Sequence, residues 1–344
     1  MSNIKNNIIK FQLYFCSLKF IPSFITVYIL SFFELIYNFY NNILKNSKNE
    51  EVESLIKNVK NDIVKKNSRR KIVVITGGIS GIGRETVISL AKANYIIYIG
   101  DNVKEDEIKE IQLILRKESE NDDIYIENID LSKINTINTF VKKIKNNCKK
   151  IDILICNAGI MNTPYMTDEK GFEMQTSVNY LGHYKLIELL INNIKDSKGR
   201  IIILSSVVHY QVSNIDFEAF KSKEKYRRLG NYALSKVCLT MLMKELYENY
   251  SSSGVQVYSV HPGVVRTPLY KYDFFSNTFV KFFPIALKSP KEGSLTTVYL
   301  ALEKCENLSN GEYYFDCEVV PHNPLIDNKE VRSQLIEYTK NLFL

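Results

Sequence analysis

Tryptophan is absent from the 344 residues, and glycine and proline are sparse, at 14 and 8. The six cysteines, Cys16, Cys148, Cys156, Cys238, Cys305 and Cys317, form no C-x-x-C pair and are too scattered for a disulfide scaffold. They read as reduced, mostly buried thiols that behave as small hydrophobes. No grouping of His, Cys and acidic residues has metal-ligand spacing, so no metal site is expected. No repeat with a period of about 20–50 residues is visible, which excludes solenoids. The formal charge of +7 is spread along the chain. Basic residues cluster only briefly, at Lys65 with Lys66 and at Arg69, Arg70 and Lys71, without the stripe that a nucleic-acid surface needs.

What is present fits a globular protein: 45% apolar residues, 24% charged, and enough length for one large α/β domain with an appendage. The appendage is the amino end. Between Phe11 and Phe33 the only charge is Lys19. The window Phe20–Tyr40 has the length of a membrane-spanning helix, although Glu34 and Asn38 interrupt it. Three readings stay open for residues 1–45: a membrane or signal anchor, a cleaved targeting leader, and an amphipathic helix packed on the domain or lying in an interface. Basic residues flank the segment almost equally, with Lys5 and Lys10 before it and Lys45 and Lys48 after it, so its orientation is undecided. Residues 46–70 alternate Lys, Glu and Asn with scattered aliphatics and read as a polar helical linker.

From residue 71 onward, strands and helices alternate. Strands are expected at Lys71–Thr76, Tyr95–Ile99, Ile124–Ile129, Ile151–Cys156, Arg200–Leu204, Val255–Val260 and Glu312–Phe315. Helices are expected at Gly81–Ala93, Glu105–Arg116, Lys133–Asn147, Glu169–Lys195, Asn231–Tyr250 and Lys291–Glu303. This rhythm predicts an α/β fold: one doubly wound parallel sheet of about seven strands, spanning residues 71–344.

The stretch KIVVITGGISGIG, residues 71–83, runs a β-branched strand into Gly77, Gly78, Gly81 and Gly83. In such a sheet the first strand-to-helix turn is where a dinucleotide pyrophosphate sits. Glycine lets the backbone approach the phosphates, and the helix start offers unpaired N–H groups. Asp101 stands 18 residues beyond Gly83, at the end of the second strand. An acid there accepts bonds from adenine-ribose hydroxyls and repels a 2′-phosphate.

The chain has 22 tyrosines, and only Tyr232 has a lysine four positions on, in YALSK. Tyr232 and Lys236 therefore share one helix face. Their helix follows the fifth strand, which ends in Ser205–Ser206, while Asn157-Ala158-Gly159 follows the fourth. All lie at carboxyl ends of parallel strands, where open sheets bind ligands.

Together these motifs resemble those of the short-chain dehydrogenase/reductase family, and within it the retinol dehydrogenase-like branch. TGGISGIG is similar to T-G-x-x-x-G-x-G, and CNAGIM to N-N-A-G with Cys156 replacing the first Asn. GFEMQTSVNYLGHY, ILSSVVH, YALSK, HPGVVRTPL and GEYYFDCEVV follow the branch's order. The resemblance covers about residues 70–342 and implies a Rossmann-type domain.

It also implies roles. Tyr232 would be the general acid/base, with Lys236 beside it binding the nicotinamide ribose. The lysine ammonium is expected to lower the tyrosine pKa toward the working pH. Ser206, chosen over Ser205 by alignment of the double Ser with the family, would hold the substrate oxygen. Asn179 would support a proton path to Lys236. Thr76, Gly77, Ser80, Gly81, Ile82 and Gly83 would form the pyrophosphate turn, and Asp130 with Leu131 would meet the adenine. Asn157, Ala158 and Gly159 would line the cofactor and steady the sheet. Pro262, Gly263, Val265 and Thr267 would close the nicotinamide end, with Thr267 at the carboxamide. His183 and His209, near the site, are expected to serve packing or surface.

The pair Asp101–Asn102 and Ser80, where NADP-using members are often basic, favour NAD, with NADP the alternative. Residues 269–288 fall where the family builds its substrate lid. They are aromatic, with Tyr270, Tyr272, Phe274, Phe275, Phe279, Phe282 and Phe283. An apolar lid selects an apolar ligand. The expected function is interconversion of a lipophilic alcohol (retinoid, steroid or fatty lipid) with its aldehyde or ketone. Alternatives are a ketoacyl- or ketosphinganine-type reductase and a catalytically silent, cofactor-binding membrane protein. A homodimer paired through the long helices is expected. So is association with the endoplasmic reticulum membrane, with organelle import after leader cleavage as the alternative.

Overall fold

Isoleucine and valine, stiff at χ1 and suited to a pleated surface, build most of the strands. The computed structural model describes residues 29–30, 32–34, 36–37, 47–272 and 287–343. After the helix α1 (Ser47–Lys65), the strands and helices alternate: β1 (Ile72–Thr76), α2 (Gly81–Lys92), β2 (Ile96–Asp101), α3 (Glu105–Ser119), β3 (Ile124–Asn128), α4 (Ile134–Asn147) and β4 (Ile153–Cys156). Next come α5 (Gly182–Lys195), β5 (Arg200–Leu204), α6 (Arg228–Tyr250), β6 (Gln256–His261), α7 (Pro290–Leu302), β7 (Tyr313–Phe315), β8 (Glu318–Val319) and α8 (Lys329–Asn341).

The sheet runs β3-β2-β1-β4-β5-β6-β7-β8, with every pairing parallel except β7 with β8. Strand order reverses between β1 and β4, and this opens a crevice at their carboxyl ends. Alternation along the strands feeds two cores. Val73 and Ile75 pack with Val87, Leu90 and Val298 on one face. Val74 turns to the other, with Phe140, Leu186, Val237 and Leu335.

The eighth strand exceeds the expected seven. Asp316 and Cys317, with φ of 50° and 62°, make the two-residue turn into it. Two central residues with positive φ are the signature of a tight hairpin. The helix expected from Glu169 begins later. The Asp168 carboxylate accepts from the Lys170 and Phe172 N–H groups, both at 2.9 Å, which holds a loop there. A π-helical turn, Thr176–Leu181, then leads into α5. The helical segment expected as a linker buries Val52 and Ile56 in the same core as α2 and α7, and Glu53 pairs with Lys291 at 2.7 Å.

Most of the window Phe20–Tyr40, and Phe274, Phe275, Phe279, Phe282 and Phe283, expected in a substrate lid, lie outside the described residues. Among the described residues no helix is long and apolar enough to cross a membrane. Those between 29 and 37 are helical, with Leu30, Glu34 and Tyr37 buried and Phe32 and Ile36 exposed. The helices expected to pair two copies, α5 and α6, are in part covered by the chain's own carboxyl end. Thr339 of α8 bonds Tyr180 at 2.8 Å, Phe343 stacks on Tyr184 of α5, and Arg332 pairs with Glu248 of α6.

Candidate active site

A cleft of about 410 Å³ opens at the carboxyl ends of the central strands. Of the expected residues, Gly77, Ser80, Gly81, Ile82, Gly83, Asp101, Asp130, Leu131, Asn157, Ala158, Gly159, Tyr232, Lys236, Pro262 and Thr267 line it. Thr76, Asn179, Ser206, Gly263 and Val265 do not. Gly263 turns toward Glu34 and Lys288, and Val265 packs on Gly293 of α7.

The glycines of the first turn divide their labour. Gly83 is a packing glycine: a Cβ there would lie 1.9 Å from the Gly77 carbonyl oxygen and 2.5 Å from Asn157 Nδ2. Gly81 has φ +54° and faces Thr267 across the cleft. Ser80 precedes α2 in an extended conformation, and no side chain caps that helix. Its first N–H groups are therefore left to whatever enters the cleft. Asp101 accepts from Ile79 N–H at 3.1 Å and from Asn102 N–H at 2.9 Å, so the acid also holds the glycine turn. Burial pushes its carboxyl up, and those two bonds act against the shift. Asp130 accepts from Ser132 N–H at 3.0 Å and Ser132 Oγ at 2.6 Å, which shapes the loop after β3.

Thr76 is a hub rather than a wall. Its hydroxyl accepts from the Asn157 and Ala158 N–H groups, both at 3.1 Å, and meets His183 Nε2 at 2.8 Å. His183 Nδ1 lies 2.8 Å from the Asn179 carbonyl. A carbonyl only accepts, so Nδ1 carries the hydrogen and Nε2 accepts from Thr76. Burial lowers the His183 pKa to about 4, so the ring is neutral at pH 7. Asn157 Nδ2 donates to the Thr76 and Gly77 carbonyls at 2.9 and 2.8 Å, stitching β4 to the glycine turn. The Asn179 side chain is committed as well. Its Oδ1 accepts from Ile160 N–H at 2.8 Å, and its Nδ2 donates to the Ile160 carbonyl at 2.9 Å and to Ser235 Oγ at 3.0 Å.

The first turns of α6 carry Tyr232 and Lys236 on one face, with the ammonium 5.6 Å from the phenol ring centroid. Lys236 donates to the Leu204 carbonyl at 2.8 Å. Burial brings its pKa down to about 8. The expected lowering of the Tyr232 pKa is not what the site shows. Burial pushes the phenol above its ordinary value, and a hydrogen bond with the Ser206 hydroxyl offsets only part of that. The two serines point apart. Ser205 donates to the Lys236 carbonyl at 3.1 Å and accepts from Thr240 at 2.8 Å, leaving Ser206 to face the tyrosine.

Two histidines read as packing residues prove to be ties. His183 links the Asn179 carbonyl to Thr76. His209 Nδ1 lies 2.6 Å from the Ser206 carbonyl, and its Nε2 accepts from Asn323 N–H at 3.2 Å. Burial pushes its pKa down to about 3, so it too is neutral. The motif reading also missed Gly100, Ile160, Met161, Val178 and Lys271 among the lining residues. Tyr232 itself sits in an apolar cluster with Met161, Val207, Val208, Tyr210, Leu30 and Tyr37.

Comparison with known proteins agrees with this geometry. A family model described as short chain dehydrogenase matches residues 71–274. Retinol dehydrogenase 13 of Mus musculus is 36% identical over 277 residues, covering 77% of this chain and 81% of that protein. Retinol dehydrogenase 12 of Homo sapiens is 34% identical over 269 residues, covering 77% and 84%. Among solved structures, a short-chain type dehydrogenase/reductase from Mycobacterium marinum superposes with a TM-score of 0.57 at 20% identity, covering 71% of this chain and 92% of that one. The 3-ketoacyl-(acyl-carrier-protein) reductase from Brucella melitensis, complexed with NADH, gives a TM-score of 0.56 at 21% identity, covering 71% and 95%. By these matches the chain is an oxidoreductase and belongs to the short-chain dehydrogenase family.

Proposed function

We propose that this oxidoreductase interconverts a lipophilic alcohol and its aldehyde or ketone, with NAD as the preferred cofactor and NADP as the alternative. The observation that carries the substrate class is the setting of Tyr232, among Met161, Val207 and Val208, with Leu229, Leu269 and Tyr270 packed against them. Such surroundings favour an apolar ligand with one oxygen at the phenol. The relatives named for retinol point the same way.

The residues present fit a nicotinamide dinucleotide. The cradle where α2 begins has an uncapped helix start beside glycines, which suits a pyrophosphate. Gly77 and Ser80 through Gly83 hold it in this reading. Asp101 takes the ribose hydroxyls, Asp130 and Leu131 the adenine, and Asn157, Ala158 and Gly159 the middle of the cofactor. Pro262 and Thr267 contact the nicotinamide end, with Gly263 and Val265 shaping that loop from behind. When bound, the cofactor supplies or accepts a hydride.

Tyr232 holds the proton that the substrate oxygen gains on reduction and loses on oxidation. A phenol kept neutral by burial is already in the donating form. Ser206 shares a hydrogen bond with Tyr232 and orients the oxygen. The Lys236 charge stabilises the phenolate left behind. Asn179 fixes the Ile160 backbone and Ser235, and thereby the floor under Lys236. Membrane association through residues 1–45, at the endoplasmic reticulum or after import with leader cleavage, and pairing into a homodimer through the long helices α5 and α6, complete the proposal.

The test is titration of the full-length chain with NADH and NADPH, followed by a panel of lipophilic aldehydes and ketones. Saturable NADH binding and turnover that falls at least about 10³-fold in Tyr232→Phe are expected. A folded chain that binds neither cofactor, or a phenylalanine variant with parental turnover, would overturn the proposal.

A further inference from the structure

Glu34 is the one acid in a long apolar run, and it is 1% exposed. A buried carboxyl is costly unless it is bonded. Here both oxygens are used: Oε1 accepts from Val264 N–H at 2.5 Å, and Oε2 lies 2.9 Å from His261 Nε2. The other ring nitrogen, Nδ1, is approached at 3.4 Å by the N–H groups of Val207 and Gly263. Those groups only donate, so Nδ1 accepts and Nε2 carries the hydrogen that points at Glu34. Position 34 thus faces two donors. A carboxylate satisfies both, whereas an amide has one acceptor to offer.

The three buried positions, Leu30, Glu34 and Tyr37, recur at helical spacing on one face, while Phe32 and Ile36 are exposed at 59% and 48%. Leu30 and Tyr37 belong to the same apolar cluster as Tyr232 and Met161. The loop that Glu34 grips leads through Pro262 to Thr267, both of which line the cleft.

We propose that Glu34 is a positioning residue: by bonding His261 and Val264 it docks the amino-terminal helical stretch on the loop after β6 and sets Leu30 and Tyr37 as a wall of the substrate side of the active site. The inference rests on the functional reading above for its substrate and on the hydrogen bonds alone for the docking.

The test uses the full-length chain in detergent and two readouts. One is amide exchange at Val264, and the other is kcat/KM for a long-chain and a short-chain aldehyde, with NADH affinity measured alongside. Glu34→Gln leaves one donor unanswered and should speed Val264 exchange about tenfold. It should also lower kcat/KM for the long-chain aldehyde about tenfold, mainly through KM, with the short aldehyde and NADH affinity changed less than about twofold. Leu30→Ser keeps both Glu34 bonds and should reproduce the rise in KM without the faster exchange. Ile36→Ser, on the exposed face, should match the parent in every readout. Unchanged exchange in Glu34→Gln, or equal losses on both aldehydes together with NADH affinity, would overturn the proposal. A parent chain that binds NADH but turns over no aldehyde would sink the functional reading instead, and Val264 exchange would still decide the docking.

Discussion

Lys236 sits at the bottom of the cleft with its ammonium buried and one carbonyl for company. Its pKa of about 8, against an ordinary 10.5, means that the unfolded chain holds this proton more tightly than the folded one. The cost to stability is therefore full below pH 8 and fades as pH rises toward 10.5. Lys236→Met should abolish turnover yet raise the unfolding free energy at pH 7 by about 1–3 kcal/mol, with the gain shrinking above pH 8. Urea melts at pH 7 and 10 would show it. A variant less stable than the parent at both pH values would mean that the Leu204 bond outweighs desolvation. At this scale Tyr232 and Lys236 were legible because four-residue spacing on a helix fixes a shared face. His183 and His209 were not. Each acts through a partner more than 100 positions away in sequence, Thr76 for one and Asn323 for the other. The rise in the Tyr232 pKa was equally hidden, because burial depends on what folds over the phenol.

Among the elements, the contact between β1, its glycine turn and α2 is the least forgiving. Gly83→Ala would place a methyl inside the Gly77 carbonyl. Moving α2 away should cost about 2–3 kcal/mol and weaken NADH binding at least about tenfold, read by melting and by cofactor titration. Unchanged NADH affinity would show that the turn can open without losing its shape. The strand–helix rhythm was readable because β-branched runs and 3.6-residue spacing are local signals. The eighth strand was not, since its turn has Cys317 where glycine is usual. The late start of the helix before α5 was hidden for a similar reason: the Asp168 side chain, not its propensity, stops the helix.

On the scale of the whole molecule, the part that matches the family begins at residue 71, but the packed body begins earlier. Val52 and Ile56 of α1 are 1% and 6% exposed, in the same core as α2 and α7. A chain starting at residue 71 should lose about 3 kcal/mol or more relative to one starting at residue 47, measured by denaturant unfolding. Equal midpoints would reduce α1 to a passenger. Composition suggested a linker here because Lys, Glu and Asn dominate the helix, and the few aliphatic residues that make its contact are diluted among them.

Glu34 and His261 are separated by 227 residues. At a synthesis rate of roughly 5–20 residues per second, about 10–45 s pass between the making of the acid and of the ring that meets it. Through that interval Leu30 and Tyr37 also lack the β7 residues Tyr313 and Phe315 that later surround them. The stretch that leaves the ribosome early is thus completed only when nearly the whole chain exists, and a nascent chain stalled before β6 would carry an unpaired carboxylate in its most apolar segment.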